Sequence, residues 1–317
     1  MSACWSEPDI ARSVYEAASQ VPRGMVSTYG DIAAALGDPA AARAVGEVLS
    51  RNPTPIAVPC HRVVYSTGRT GWYGGRGKGA ERKVELLRSE GVEVEDGAVV
   101  DLPRHRFTGF SIDPALMALK AEQCAVRGRV VGTDGFGKLE RVGGLDVSYS
   151  GERAFAALAV YDWTSGELVE ERTAESVVRF PYIPTYLSYR ELPALRPLVD
   201  PEKSIVYLID GQGTLHPRGA GIASHLGVCL GVPTVGAAKS LLFGRVEGEG
   251  EEAPILVDGE VRGCRLGCGK KATYVSVGHR VSLGTGVSIC RRFLERGIPR
   301  PLRRAHDLAN EARRSAE

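Results

Sequence analysis

An uninterrupted run of apolar and aromatic side chains at residues 205–209 (IVYLI) constrains the fold of this 317-residue chain more than any other feature. A strand with one face in water alternates polar and apolar residues, whereas a continuous run predicts a strand buried on both faces in the middle of a parallel sheet. Helical patterns at residues 183–198 and 220–230 flank the run, and a strand-like segment follows at 232–239. This order predicts an α/β sheet covered by helices on both faces.

The first third of the chain has a helical pattern instead. Thr28 is a suitable N-cap for a helix over residues 28–36, and Pro39 suits the first turn of a second helix over residues 40–50. Two short helices joined by a Gly/Pro turn predict a helix-turn-helix. The second helix is rich in small residues, which permit close approach to a partner.

The pattern changes near residue 110, where acidic residues, glycine and prolines interrupt the helices. Three strand-like segments follow between residues 142 and 178. Because 317 residues exceed most single cores, we predict two domains, residues 1–105 and 113–317, joined by a linker at 106–112.

Composition excludes several classes of protein. Hydrophobic residues make up 43% and charged residues 25%, as in soluble globular proteins, and the net charge of +2 does not by itself indicate a nucleic-acid binder. No apolar run approaches the roughly 20 residues of a membrane span, and no signal peptide is evident. Seven scattered cysteines, an odd number, favour a reducing compartment. We therefore predict a cytoplasmic protein with neither a membrane partner nor an obligate protein partner.

Two acidic residues lie on strands that we expect to be neighbours. Asp146 falls inside an apolar strand, and Asp210 ends the central one, where α/β sheets place their ligands. Facing carboxylates repel each other, and a divalent cation such as Mg²⁺ relieves the repulsion. Glu191, on the intervening helix, is a candidate third ligand. The alternative is that each acid is only a cap or an ion-pair partner.

A glycine-rich segment, "DGQGTLHPRGAG", follows the central strand and lets backbone approach a ligand closely. His216 and Arg218 add hydrogen-bond donors there. The stiff segment "PYIP" presents Tyr182, an aromatic side chain that can wedge between bases, unless it is an ordinary packed turn. Lys239 ends a strand and could neutralise a phosphate, and His306 lies in the last predicted helix.

The segments "GGLDVSYS", "PYIPTYLSYRELP", "YLIDGQGTLHPRGAGIASHLG", "GAAKS" and "RPLRRAHDLAN" together resemble endonuclease V over residues 113–317. The resemblance implies a ribonuclease-H-like α/β domain with a mixed sheet. It also implies Mg²⁺-dependent cleavage, with Mn²⁺ as an alternative metal, at the second phosphodiester bond 3′ to deoxyinosine, leaving 5′-phosphate ends (deoxyribonuclease V). The implied metal ligands and catalytic residues are Asp146, Glu191, Asp210, His306 and Lys239. Tyr182 is the implied wedge, and the implied base pocket is Leu187, Gly211, Gly213, His216 and Gly221.

A second candidate site is the segment "PCHRVV", residues 59–64. A lone cysteine is most often a small buried hydrophobe. Here His61 follows Cys60 directly and could relay the thiol proton to a carboxylate through water, as in activated cysteine nucleophiles. Spacing alone does not choose the acid.

The text around this cysteine, "VSTYGDIAAALGDPAAARAVGEVLSRNPTPIAVPCHRVV" followed by "GWYGG" and "LLRSEG", resembles the catalytic domain of O6-alkylguanine-DNA alkyltransferases over residues 8–95. The resemblance implies a helix-turn-helix (winged-helix-like) domain and a methylated-DNA–[protein]-cysteine S-methyltransferase, in which Cys60 takes the alkyl group irreversibly. It assigns the functional residues as follows: His61 and Glu90 activate the thiol through water, Asn52 is a hinge, Arg43 fills the gap left by the flipped base, Tyr29 pushes on the phosphate, and Tyr73 lines the lesion pocket.

Two positions depart from the families' usual residues: Gly74 replaces a serine after the pocket tyrosine, and Thr185 replaces a glycine after "PYIP". The main hypothesis is a bifunctional DNA-repair enzyme whose partners are DNA with O6-alkylguanine or deoxyinosine lesions. Two alternatives stay open. If the altered lid "GGRGKGAERK" blocks transfer, the first half is a non-enzymatic lesion sensor that guides the nuclease. The nuclease could also prefer inosine in RNA, as some relatives do.

Overall fold

The computed structural model describes residues 5–75, 77, 79–201 and 204–317. Arg76 and Lys78, part of the lid segment, lie outside the described residues. The chain divides into two compact units. The first comprises residues 7–119 with 180–184, and the second comprises residues 120–179 with 185–317 together with Trp5 and Ser6. The functional division at residues 105 and 113 remains a prediction.

The first unit is built from short helices and two-residue strands. Its helices are α1 (Ile10–Ser19), α2 (Tyr29–Ala35), α3 (Ala42–Ser50), α4 (Ala80–Ser89) and α5 (Leu102–His105). Its strands are β1 (Ser27–Thr28), β2 (Val63–Val64), β3 (Val94–Glu95) and β4 (Ala98–Val99). The next helix along the chain is α6 (Ala115–Gly128). Buried valines and leucines from these elements, including Val26, Val64 and Leu87, form a small core.

The predicted helix-turn-helix is confirmed in α2 and α3. Thr28 caps α2 through a reciprocal capping box with Asp31, each side chain accepting from the other's backbone N–H. The second helix differs at its start, because Pro39–Ala41 form a separate 3₁₀ turn and α3 begins only at Ala42.

Pairing of β1 with β2 positions the "PCHRVV" segment. Cys60–Arg62 form a single 3₁₀ turn that leads directly into β2. The two strands are parallel, with Ser27 opposite Val63 and Thr28 opposite Val64. The turn that carries Cys60 is thereby tied to the strand that leads into α2.

The second unit contains a nine-stranded mixed sheet in the order β10-β11-β12-β13-β9-β8-β5-β6-β7. The strands are β5 (Arg141–Ser150), β6 (Arg153–Asp162), β7 (Leu168–Val177), β8 (Ile205–Ile209), β9 (Thr234–Ala238), β10 (Arg245–Val246), β11 (Glu252–Val257), β12 (Glu260–Leu266) and β13 (Thr273–His279). A separate small hairpin joins β14 (Leu294–Glu295) and β15 (Ile298–Pro299). The four strands from β10 to β13 were missed. β10, β11 and β12 carry exposed charged residues, and β13, although mostly buried, lacks the continuous apolar run that marked β8.

The central position predicted for residues 205–209 is confirmed. β8 runs parallel to both of its neighbours, β5 and β9, and all five of its residues are buried. The register pairs Leu145 with Ile209. Asp146, still within β5, and Asp210, the first residue after β8, are the next residues along and therefore lie side by side at the carboxyl end of β8.

The remaining helices are α7 (Leu187–Leu195), α8 (Ile222–Leu230), α9 (Leu283–Phe293) and α10 (Arg300–Ser315). The helix predicted over residues 183–198 was wrong at its start. Thr185 has φ of 69°, a left-handed conformation that an α-helix cannot contain, so α7 begins at Leu187 and ends in a 3₁₀ turn at Arg196–Leu198. The helix predicted from residue 220 begins at Ile222.

The cysteines differ in state. Cys60, Cys124, Cys264, Cys268 and Cys290 are free thiols, but Cys229 is disulfide-bonded. A disulfide at Cys229 was not expected from the scattered arrangement of the seven cysteines. Within the described ranges, no helix combines the length and the apolar character needed to cross a lipid bilayer.

Two candidate active sites

The first unit encloses an open cavity of about 700 Å³ around the candidate nucleophile. Its lining includes Tyr29, Arg43, Cys60, Tyr65, Tyr73 and Lys83. Cys60 is only 8% exposed, yet it faces this cavity rather than being enclosed by packed side chains. A buried thiol at the wall of a cavity is protected from bulk solvent and accessible to a ligand that enters the cavity.

Asn52 holds the loop that carries Cys60. Its side-chain amide donates to the Val58 carbonyl at 2.9 Å and to the Cys60 Sγ at 3.2 Å, while its Oδ1 accepts from the Thr54 N–H at 3.0 Å. A single side chain thus fixes both the turn after α3 and the position of the sulfur.

His61 and Glu90 form a hydrogen-bonded pair, with 3.1 Å between His61 Nε2 and Glu90 Oε1. Arg62 makes two further bonds to the same carboxylate, each of 2.8 Å. Burial alone would raise the pKa of Glu90, but the bonds from Arg62 and His61 outweigh it and hold that pKa below its ordinary value. Burial lowers the pKa of His61, partly opposed by Glu90, so the imidazole is neutral at pH 7.

The tautomer of His61 follows from this pairing. An ionised Glu90 can only accept, so Nε2 carries the proton and Nδ1 is left as the basic nitrogen. Among the described residues, the buried Nδ1 of His61 has no hydrogen-bond partner. The imidazole can therefore receive a proton at Nδ1.

Lys83 is a component of this site that the sequence analysis missed. Its side chain is 1% exposed, donates to the Val63 carbonyl at 2.7 Å and lies 5.7 Å from the Tyr29 ring. Burial lowers the pKa of Lys83 to about 8, partly opposed by Cys60. The available signal was its spacing: Lys83 lies four residues before the buried Leu87, on the apolar side of α4.

The residues assigned to DNA contact surround the cavity mouth. Arg43 is exposed on α3, and Tyr29, at the start of α2, packs 5.2 Å from Tyr65. Tyr73 stands edge-on to His61, with 6.3 Å between ring centroids. Arg43, Tyr29 and Tyr73 therefore line one opening with Cys60.

The second candidate site gathers the three predicted carboxylates. The side chains of Asp146 and Asp210 are 12% and 19% exposed. Burial and then the charge of Asp210 raise the pKa of Asp146, with His306 partly opposing. Burial, together with the charges of Asp146 and Asp210, raises the pKa of Glu191 to about 8, although the Tyr149 hydroxyl donates to it at 2.9 Å. These acids carry more negative charge than their surroundings neutralise.

His306 on α10 contacts this cluster through its Nδ1, 2.6 Å from Asp146 Oδ2. Asn310, one turn later, places its amide nitrogen 3.1 Å from His306 Nε2 and accepts from the Ser148 hydroxyl at 2.9 Å. The Asn310 contact makes Nε2 the acceptor and Nδ1 the donor to Asp146. Asn310 was missed, although its spacing of four residues from His306 was a signal.

Lys239 is a cation in direct contact with the carboxylate cluster. Its Nζ is 2.6 Å from Asp210 Oδ2. Burial lowers the pKa of Lys239, but the charge of Asp210 outweighs burial and raises it overall. Lys239 directly follows β9, as predicted, and its side chain is half exposed at 50%.

The donor set fits a divalent cation by its chemistry. In the described part of the chain, no group of three or more His, Cys, Asp or Glu side chains is arranged to hold a metal ion as the side chains stand. One oxygen each of Asp146, Asp210 and Glu191 is taken by His306, Lys239 and Tyr149, respectively. Carboxylate oxygens are the ligands Mg²⁺ prefers, and the raised pKa values of Asp146 and Glu191 show that added positive charge would stabilise the cluster.

The predicted base-pocket glycines permit close backbone packing. A Cβ on Gly213 would lie 1.9 Å from the Val277 carbonyl oxygen, and one on Gly221 would lie 2.2 Å from that of Gln212. A Cβ on Gly211 would meet the Ile222 side chain at 2.5 Å. A side chain at Gly213 or Gly221 would force backbone segments apart, whereas one at Gly211 would displace the Ile222 side chain.

His216 is fixed from both ring nitrogens. Its Nδ1 accepts from the Arg218 N–H at 3.2 Å, so Nε2 carries the proton and donates to the Thr185 carbonyl at 3.0 Å. Burial and the charge of Arg218 lower the pKa of His216 to about 4. His216 is therefore a neutral residue that braces the loop. Leu187 is the half-buried first residue of α7, and Tyr182 is 52% exposed in the segment 180–184, which belongs to the first unit.

Both halves of the chain match family models. Residues 125–307 match Endonuclease V, and residues 9–92 match the DNA-binding domain of 6-O-methylguanine DNA methyltransferase. A Bifunctional methyltransferase/endonuclease of Picrophilus torridus is 35% identical, with 97% of this chain and 98% of that protein aligned. One of Thermoplasma volcanium is 37% identical over 95% of this chain and 89% of that protein.

The chain belongs to the bifunctional methyltransferase/endonuclease family. This membership confirms the predicted combination of an alkyltransferase and an endonuclease V in one DNA-repair protein. The family membership does not favour the alternative hypothesis that the first half is a non-enzymatic lesion sensor.

Solved structures match the second half of this bifunctional protein. The catalytic domain of human Endonuclease V is 33% identical, with a TM-score of 0.59 over 65% of this chain and 98% of that one. Endonuclease V of Ciona intestinalis, in complex with a DNA containing an inosine followed by a ribo-adenosine, is 28% identical, with a TM-score of 0.59 over 65% of this chain and all of that one. They confirm the predicted fold of the nuclease half.

Proposed function

We propose that this protein transfers an alkyl group irreversibly from O6-alkylguanine in DNA to Cys60, and cuts DNA at the second phosphodiester bond 3′ to deoxyinosine. Residues 1–105 would carry the transfer and residues 113–317 the cleavage, with residues 106–112 between them. The observation that carries the first activity is a thiol at the wall of an open cavity, beside a neutral histidine with a free basic nitrogen. The second rests on a buried, under-neutralised carboxylate cluster.

In the transfer step, the Cys60 sulfur attacks the alkyl carbon and the bond between that carbon and guanine O6 breaks. The thiol proton passes through water to Nδ1 of His61, and the imidazolium is stabilised by Glu90. A proton returns to the guanine ring, so guanine leaves intact and Cys60 becomes a thioether. The thioether is not returned to a thiol in this step, so each chain acts once.

Two basic side chains support the transfer. The ammonium of Lys83 lies close enough to Cys60 to interact with its charge and attracts the anion that develops during attack. Arg43, exposed at the cavity mouth, would occupy the space vacated by the flipped base, with Tyr29 against the phosphate and Tyr73 against the lesion.

In the cleavage step, Asp146, Asp210 and Glu191 would hold Mg²⁺, or Mn²⁺ in its place. The metal supplies Lewis-acid activation of the scissile phosphate. His306, oriented by Asn310, can hold or pass a proton at the edge of the cluster, and Lys239 is placed to exchange Asp210 for a phosphate oxygen. The loop of Gly211, Gly213, His216 and Gly221, with Leu187, would receive hypoxanthine, and Tyr182 would wedge between bases.

Mass spectrometry tests the transfer. After incubation with a duplex containing O6-methylguanine, the peptide that contains Cys60 should gain the mass of one CH₂ group, and the guanine should be restored. If the protein binds the lesion tightly but no peptide gains mass, the first half is a sensor and not an enzyme.

A nicking assay tests the cleavage. An end-labelled duplex with one deoxyinosine should be cut one nucleotide beyond the lesion's own 3′ phosphodiester when Mg²⁺ is present. The matched RNA strand with inosine is the comparison. Faster cleavage of the RNA would replace the proposed substrate, and cleavage of undamaged DNA at the same rate would refute lesion specificity.

A further inference from the structure

Thr185 has an unusual backbone conformation for its residue type. Its φ of 69° lies in the left-handed region, which glycine enters freely but a β-branched side chain rarely does. It lies two residues before Leu187, where α7 begins and where we place one wall of the base pocket. Something must hold Thr185 in this conformation.

Three side-chain donors converge on the Thr185 carbonyl. They are Gln123 Nε2 at 2.9 Å, His216 Nε2 at 3.0 Å and an Arg218 Nη at 2.8 Å. A carbonyl oxygen has two lone pairs, so three donors hold it more firmly than ordinary backbone bonding does. The same Arg218 nitrogen is 2.6 Å from the Thr185 hydroxyl.

Gln123 is the residue that organises these donors. Its side chain on α6 is 1% exposed, and its Oε1 accepts from Arg218 Nε at 2.5 Å while its Nε2 donates to Thr185. Gln123 therefore acts on Thr185 directly and also aims Arg218, whose guanidinium stacks 4.5 Å from the Tyr186 ring. Gln123 lies between the buried Leu119 and Val126 on the same helix. Packing at this position would be satisfied by an apolar side chain, so it does not explain why the residue is polar.

We infer that Gln123 is a positioning residue for base recognition: it holds Thr185 in the left-handed conformation and thereby fixes the start of α7 and the loop of His216 around the extruded base. This inference rests on the proposed deoxyinosine specificity. The three donors to the Thr185 carbonyl are needed because residue 185 is threonine. A glycine would adopt the same left-handed conformation without them.

The test is a double-substitution cycle read as binding specificity. The variants are Gln123→Ala, Thr185→Gly and the two combined, with Gln123→Glu, which still accepts from Arg218 but cannot donate to the carbonyl. Fluorescence anisotropy in EDTA gives the ratio of dissociation constants for two otherwise identical duplexes, one with deoxyinosine and one with adenine. Gln20→Ala is the matched control, because Gln20 also donates to a backbone carbonyl, that of Ser111 in the first unit.

We expect Gln123→Ala and Gln123→Glu each to reduce the specificity ratio by about tenfold, the size of one lost hydrogen bond to a buried carbonyl. When Thr185→Gly is already present, Gln123→Ala should reduce the specificity ratio by about threefold or less. Gln20→Ala should leave the ratio unchanged. A thermal melt should show a folded second unit in every variant, and normal alkyl transfer by Cys60 should show that the first unit has folded.

Equal losses with and without Thr185→Gly would overturn the inference, since a general structural role does not depend on residue 185. An unchanged ratio in Gln123→Ala would also overturn it. A wild-type protein that does not prefer the deoxyinosine duplex would instead refute the proposed function, so the two failures can be told apart.

Discussion

The carboxylates of the two sites have opposite electrostatic states. Glu90, beside Cys60, accepts two bonds from Arg62 and one from His61, and these partners hold its pKa below the ordinary value despite burial. Asp146 and Glu191 are also buried, but the acids around them add to the effect of burial and raise their pKa values.

This difference separates two ways of using an acid. The charge of Glu90 is balanced by Arg62 within the protein, so Glu90 can orient and stabilise His61 without any added ion. The cluster of Asp146, Asp210 and Glu191 lacks that charge and has to gain it from outside the chain. The comparison predicts one metal-independent and one metal-dependent chemistry.

Cys60→Ser gives the largest expected effect. Serine keeps the size of the side chain but loses the thiolate, so covalent transfer from O6-methylguanine should fall below detection. Nicking of deoxyinosine DNA should stay within about twofold of wild type, because Cys60 has no part in the chemistry proposed for the carboxylate site. Cys124→Ser is the control, since Cys124 is an exposed free thiol and should leave transfer intact.

Asp210→Asn should reduce the nicking rate by at least about a thousandfold, because it removes a charged ligand from a site whose metal contributes several kcal/mol to the transition state. Alkyl transfer should not change. Asp307→Asn removes the same charge from the surface of the same unit and serves as control. Residual nicking above about one tenth of the wild-type rate would refute the role of Asp210.

Lys83 tests the same comparison at the Cys60 site, where a side chain of the protein supplies positive charge without a metal. Lys83→Gln keeps a donor for the Val63 carbonyl but removes the charge, and should slow transfer about tenfold, the size of one pKa unit of charge stabilisation. Lys83→Met, which also loses the hydrogen bond, should be no faster. A rate equal to wild type in Lys83→Gln would mean that only the hydrogen bond matters.

The pKa of Lys83 determines how the rate of alkyl transfer and the free energy of unfolding change with pH. Burial lowers the pKa of Lys83 from 10.5 to about 8, so the ammonium is lost, and the charge-dependent part of the rate with it, as pH rises through about 8. Between about 8 and 10.5 the unfolded chain holds a proton that the folded chain lacks, so the free energy of unfolding rises with pH in this window. Lys83→Gln should lack both changes in stopped-flow transfer rates and chemical denaturation.

The Cys60 site could be predicted from the sequence because its parts lie close together along the chain. Thr28 and Pro39 predict a pair of helices with defined starts. The "PCHRVV" segment places a histidine directly after the cysteine. Spacing alone did not choose Glu90 as the partner of His61, which only the family resemblance implied, and it did not place Lys83. Both depend on α4 folding back over the turn of Cys60, which no local spacing records.

The carboxylate site depends on longer-range structure. The apolar run at 205–209 predicted a central strand, and the side-by-side placement of Asp146 and Asp210 follows once β5 and β8 pair. Gln123 was missed because Thr185 lies 62 residues away along the chain, and the spacing of Asn310 from His306 did not reveal its second partner, Ser148, which lies 162 residues away. The start of α7 was misplaced because the conformation of Thr185 is imposed by tertiary contacts rather than by its own preference.

The most direct measurement is to run both activities on one wild-type preparation as EDTA is titrated against Mg²⁺. We expect deoxyinosine nicking to disappear when the metal is chelated and to return when Mg²⁺ is restored, while the yield and rate of alkyl transfer to Cys60 stay constant throughout. Nicking that persists in excess EDTA, or transfer that falls with the metal, would contradict the division of chemistry between the two sites.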